Sequence, residues 1–232
     1  MFCNKCGAQV GEGLQFCPQC GAPTAPAVPP PPAAVPVWTA PVGVKAQTGK
    51  WVSAGWAMVT ADLGNFVLVT LIFVLVNSLG SIVTQGPLQV GFHLFCAKKM
   101  YGRKAELGDL FKGFDYFVAA FVAALLIGLF VSVGVIFCII PGLVIAGALK
   151  FTYLFILDKK MEFWPAIEAS HNVVKNDYFG FTMFILVLGL INLLGCLACI
   201  VGLLVTVPLS IAAITIAYQE VVGFEQRTVD SL

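Results

Sequence analysis

The chain has 232 residues, of which 59% are hydrophobic and 11% charged, with a net charge of +1 and a mean hydropathy of +0.93. That apolarity lies outside the range of water-soluble globular domains and points to a membrane protein. A net charge this close to zero excludes a global field that would gather nucleic acid or an acidic partner.

Residues 1–22, MFCNKCGAQVGEGLQFCPQCGA, lack the basic start and apolar core of a secretory signal. FCNKCGA and FCPQCGA are two copies of one pattern, beginning at Phe2 and Phe16. Their thiols, Cys3, Cys6, Cys17 and Cys20, have the spacing of a tetrahedral Zn²⁺ site. Gly7 and Gly21 follow the second cysteine of each pair, where a turn must aim backbone N–H groups at sulfur. A segment this short has no core, so metal binding would supply its folding energy. Four metal-spaced thiols also imply a reducing compartment. Lys5 is the segment's only basic residue and Glu12 its only acidic one, poor equipment for neutralising phosphates. The expected role is contact with a cytosolic protein, with Phe2 and Phe16 on offer.

Residues 23–49 hold eight of the thirteen prolines. They read as an extended spacer of at most ~80 Å at ~3.1 Å per residue.

Residues 50–224 read as an all-α multispanning membrane domain, and 225–232 as a cytoplasmic tail. Three runs, 63–97, 116–149 and 178–219, contain no Asp, Glu, Lys or Arg. One spanning helix needs about 20 apolar residues, so each run nearly holds two. Pro87, Pro141 and Pro208 interrupt the runs and predict the tips of three helical hairpins, six helices in all. Asp62, Asp115 and Asp177 precede the runs, at comparable distances from those prolines. Asn77 and Asn192 fall at one and the same offset from Asp62 and Asp177, and SAGWAMVTAD aligns with EASHNVVKND. The pattern reads as a threefold internal repeat: an interfacial helix, a spanning helix, a proline tip and a shorter return. Trp51, Trp56 and Trp164 suit helices at headgroup level. The connections 98–115 and 158–177 carry eight cations, which places them and both termini in the cytoplasm. Soon after each proline a charge arrives, at Lys98, Lys150 and Glu220. Such limbs cover only about 15 Å, so the returns either cross with snorkelling lysines or belong to re-entrant tips.

Polar residues inside the runs are few. Lys150 sits in GALKFTYLF where the repeat places Cys96 and Ala217, and with Asn77 and Asn192 it forms the candidate intramembrane polar site. Both asparagines also suit hydrogen bonding between helices. His93 and His171 stand alone and read as structural, and Cys196 and Cys199 read as small residues on one helix face. No phosphate loop, nucleophile elbow or metalloprotease motif is present, so no catalytic residue is expected.

CNKCGA and CPQCGA resemble the short zinc-ribbon domain at the front of many bacterial membrane proteins. GPLQVG, DLFKGFDYF, IIPGL, AIEASHNVVK and VPLSIAAITIAYQEVVG resemble a group of bacterial integral membrane proteins. That group includes the membrane domain joined to some glycerophosphodiester phosphodiesterases. The resemblance implies an inner-membrane, multi-pass helical fold. It carries over no phosphodiesterase activity, because the catalytic domain is not in this sequence. The expected protein is a non-enzymatic membrane adaptor whose ribbon, holding Zn²⁺, contacts a cytosolic partner, and whose membrane part is compatible with homo-oligomers. The alternatives are a transporter or channel component and a zinc-responsive regulator.

Overall fold

The computed structural model describes residues 5–9, 18–21, 38–137, 139–198 and 201–232. The chain divides into two compact units, Met1–Thr39 and Ala40–Leu232. Every described element in the second is helical: α1 (Thr48–Ala61), α2 (Leu63–Met100), a 3-10 segment (Leu107–Tyr116), α3 (Phe117–Phe137), α4 (Ile139–Ala148), α5 (Thr152–Lys159), α6 (Phe163–Val174), α7 (Tyr178–Leu197), α8 (Leu203–Val221) and α9 (Gln226–Ser231). Among the described residues, five stretches are long and apolar enough to cross a membrane: Leu63–Gly80, Leu107–Phe137, Pro141–Lys159, Tyr178–Leu197 and Leu203–Val221.

The apolar runs do fold back on themselves, but not at the prolines. In α2 the helix breaks at Gly80, where φ is −122° and ψ is 18°. On either side of that break, Phe73 packs on Phe92 at 5.6 Å, Phe66 on Phe95 at 5.3 Å, and Asp62 pairs with Lys99. The second hairpin turns between Phe137 and Ile139, with Gly134 pressed against the Gly142 backbone. The third turns between Leu197 and Leu203, with Gly195 against Gly202 and Asn192 Nδ2 donating to Ser210 Oγ at 2.7 Å.

Pro87 and Pro208 therefore lie inside returning helices, and Pro141 is the third residue of α4. In a first turn proline costs little, since the missing N–H has no intrahelical partner there. Moving the turns upstream lengthens two of the returns. Residues 81–97 and 203–219 carry no charge and cover roughly 25 Å each at 1.5 Å per residue. The return of α2, expected as a separate span, is not among the five candidates.

Burial divides the limbs. In the 18-residue apolar windows of the outgoing spans 63–80, 107–137 and 178–197 only 17%, 17% and 22% of residues are buried. In the corresponding windows of 141–159 and 203–221 the shares are 61% and 50%, and α2 is almost continuously buried from Gly86 to Lys98. The returning limbs thus form the core, and the outgoing limbs turn Leu75, Leu129 and Leu193 outward, as suits lipid. Tyr218 of α8 is fully buried against Phe155 and Phe151 of the second return at 5.2 and 6.0 Å.

Each short amphipathic segment lies on a returning limb. Trp51, Gly55 and Val59, spaced by four, make one buried stripe on α1, and Gly55 meets the Leu209 and Ala213 backbone of α8. Ser170 of α6 accepts from Phe151 N at 3.1 Å and donates to Ala148 O at 2.7 Å, bridging the α4–α5 break. The 3-10 segment starts with a capping box between Glu106 and Asp109, then packs backbone to backbone on α2. A Cβ on Gly91 would lie 1.9 Å from Leu110 O, and one on Gly113 would lie 1.9 Å from Pro87 O.

The charges collect where returning limbs end and outgoing ones begin. Lys98 meets Asp109 at 2.7 Å, both nearly buried, and Lys50 meets Glu220 at 2.9 Å. Fully buried Asp158 accepts from Tyr218 Oη and Glu225 N, each at 2.9 Å, and Lys159 bonds Glu225 at 3.1 Å, which docks α9 onto α5.

This packing can be tested at its tightest contacts and at its C-terminal clasp. Gly91→Ala and Gly113→Ala each destabilise the folded protein by about 1–3 kcal/mol through overpacking, read as a lowered midpoint of thermal unfolding in detergent. Gly64→Ala, with open space around its Cβ, leaves the midpoint unchanged or raises it. The Glu225 carboxyl is held below its usual value of 4.5, chiefly by the Lys159 hydrogen bond and against the opposing effect of burial. A depressed carboxyl stabilises above its unfolded pKa and loses that contribution as pH falls through the folded value. Hydrogen exchange of α9, corrected for its intrinsic pH dependence, should therefore rise as pH drops below 4.5.

Candidate functional site

In the N-terminal unit both cysteine knuckles are partly described. A turn at Lys5–Cys6 leads into Gly7 at φ +72°, and a turn at Pro18–Cys20 leads into Gly21 at φ +67°. The same left-handed residue thus follows the second cysteine of each pair. A Cβ there would be strained by roughly 1–2 kcal/mol, which explains a glycine at both positions. Cys6 and Cys20 are exposed, while Cys3 and Cys17 lie outside the described residues. Two matching turns and four soft thiol donors fit zinc. Cys3, Cys6, Cys17 and Cys20 would hold the ion, which would supply cross-linking and folding energy, since a Cys₄ site leaves no open coordination position. Among the described residues alone, no cluster of three or more His, Cys, Asp or Glu could hold a metal.

In the helical unit, Asn77 and Asn192 tie limbs together. Asn77 Oδ1 accepts from Thr84 Oγ1 at 3.4 Å across the first turn. Asn192 Nδ2 donates to Leu188 O and Ser210 Oγ at 2.8 and 2.7 Å. Neither asparagine bonds Lys150, which lies elsewhere, in the three-residue break between α4 and α5.

A second polar contact lies between returning limbs. His93, fully buried on α2, has Nδ1 2.9 Å from Thr215 Oγ1 of α8. The Thr215 hydroxyl proton is committed to Ile211 O at 2.8 Å. His93 Nδ1 is therefore the donor, and Nε2 carries a bare lone pair that meets no partner among the described residues. His93 and Thr215 thus tie the returning limb of α2 to α8.

The remaining polar features have local explanations. His171 Nε2 meets Tyr178 Oη at 2.6 Å; Cys196 is exposed and Cys199 lies outside the described residues. A groove of about 740 Å³ opens between α3, α4 and α6, lined by Phe130, Ile145, Leu149, Trp164 and Ile167.

Comparison with known proteins places a zinc-ribbon domain on residues 2–24. No curated protein and no solved structure matches the chain. The protein is thus a zinc-ribbon domain joined to helices apolar enough to span a membrane. Zinc analysis of the purified full chain should find about one equivalent, and Cys6→Ser or Cys20→Ser should remove most of it.

Proposed function

We propose that the protein is a multi-pass adaptor of the bacterial inner membrane, in which a helical anchor presents a zinc ribbon to a cytosolic protein. The observation that carries this reading is the pairing of residues 2–24, matched as a zinc ribbon, with a helical unit that meets most of its own polar needs. Its ion pairs Lys50–Glu220, Lys98–Asp109, Lys99–Asp62 and Lys159–Glu225 close within the fold. The anchor is six helices in three repeated hairpins. Support for the repeat comes from the amphipathic segments, each laid on a returning limb. The cations of 98–115 and 158–177 support cytoplasmic termini. In this reading the ribbon acts by contact and the protein is not an enzyme. Its membrane part is kin to the group that includes the phosphodiesterase-linked domains.

A transporter or channel component is the second reading, favoured by one observation: the helix break at Lys150. Non-helical backbone at membrane depth is tolerated where it lines a cavity or is buried in protein, and broken helices often form substrate sites. The two readings separate in one experiment. Deleting residues 1–22 should abolish capture of the cytosolic partner by the full-length protein while leaving solute flux in liposomes unchanged. A flux that Lys150→Ala abolishes, with the deletion harmless, would overturn the adaptor reading in favour of transport.

A further inference from the structure

The groove between α3, α4 and α6 joins two kinds of wall. Two of its sides belong to stretches apolar enough to cross a membrane, with Leu129 and Val133 on α3 and Leu149 on the return. The third side is α6, which lies outside those stretches and is held where Ser170 bridges the α4–α5 break. Leu149 and Ile167 form a buried floor, whereas Leu129, Val133 and Trp164 on the rims are exposed. The groove is therefore open, and its volume of about 740 Å³ is that of a ligand-binding pocket. On the outward side of a membrane helix such a groove does not stay empty. A void forfeits dispersion contacts, and water finds no polar partners along an apolar floor. A hydrocarbon chain meets both conditions.

The headgroup that goes with that chain is set by α6. Trp164, Glu168 and His171 fall at i, i+4 and i+7 and make the polar edge of the groove. His171 Nε2 is already engaged with Tyr178 Oη at 2.6 Å. The Glu168 carboxylate is exposed and has no ion-pair or hydrogen-bond partner among the described residues. No lysine or arginine among the described residues lines the groove. Lys175, two turns beyond Glu168 on the same helix, donates instead to Asn172 at 2.8 Å. The edge is thus negative, and it asks for a cation with N–H groups to donate.

We propose that this groove binds one phospholipid with a primary-amine headgroup, of the phosphatidylethanolamine class. One acyl chain lies between α3 and α4, and the ammonium donates to the Glu168 carboxylate. A choline headgroup carries the positive charge but has no N–H, and phosphatidylglycerol brings a negative charge towards Glu168. Trp164, one turn from Glu168, is the residue type that sits at headgroup level. With the charged connections on the cytoplasmic face, the lipid belongs to the cytoplasmic leaflet. The site goes beyond the adaptor reading and does not depend on the ribbon.

Native mass spectrometry of the full-length protein in detergent tests the proposal. Dioleoyl phosphatidylethanolamine, phosphatidylcholine and phosphatidylglycerol are titrated separately, and the apparent Kd of the first bound lipid is read. Phosphatidylethanolamine should bind about fivefold more tightly than either of the others, the upper range for an exposed charge pair. Glu168→Gln keeps the shape and removes the charge, and should bring phosphatidylethanolamine within about twofold of phosphatidylcholine. Glu168→Lys should make phosphatidylglycerol the preferred lipid. Val133→Trp, on the exposed rim, should fill the groove and weaken binding of all three. Where a variant does not fold, the wild-type preference decides. Equal binding of the three lipids, a preference that survives Glu168→Gln, or binding unaffected by Val133→Trp would each overturn the proposal.

Discussion

In hydrocarbon, burying a leucine between two helices gains little over leaving it in lipid, so helices must be held by close packing and polar contacts. The contact between the returning limb of α2 and the 3-10 segment meets that constraint most directly. Gly91 lies under the Leu110 carbonyl and Gly113 under that of Pro87, leaving no room for a side chain on either. The approach fixes the returning limb in the interior. It also sets Asp109 against Lys98, so a buried ion pair depends on the same backbone fit. Gly55 against α8 and Ser170 at the α4–α5 break play the corresponding part for the other two returns.

With the returns fixed inside, the electrostatics fall into place. Lys50, Lys98, Lys99 and Lys159 all sit at helix ends and meet carboxylates there. Removing one partner of a buried pair strands a charge and costs about 3–5 kcal/mol, so the buried pairs among them resist separation of the limbs. The interior keeps a small set of polar groups, and most are satisfied between limbs. His93 Nε2, Asn192 Oδ1 and Thr206 Oγ1 are the buried atoms without a partner among the described residues. The zinc ribbon is a separate device, small enough that a bound metal would stand in for a core.

Much of this architecture was legible in the sequence because membrane constraints are coarse. The charge-free runs 63–97, 116–149 and 178–219 are each too long for one span, and so announce helices that turn once. The resembling motifs also acquired physical content: GPLQVG and DLFKGFDYF are the two faces of one backbone contact, and AIEASHNVVK supplies the serine that bridges a helix break. Two features were not legible. The turns lie upstream of Pro87, Pro141 and Pro208, because proline is tolerated within a returning helix while small residues permit the turn itself. The His93–Thr215 bond between limbs was not legible because the two residues are far apart along the chain. Cys3 and Cys17 rest on their sequence pattern, since both lie outside the described residues.

The central claim is that each apolar run leaves and returns to one face of the membrane, so every charged connection lies on the same side. Trypsin added to one face of sealed, uniformly oriented vesicles tests this directly, because Arg103, Lys104, Lys160 and Arg227 are all exposed. The account predicts cleavage at all four from the same face and at none from the other. Cleavage at Arg103 or Lys104 from one face and at Lys160 from the opposite face would contradict it.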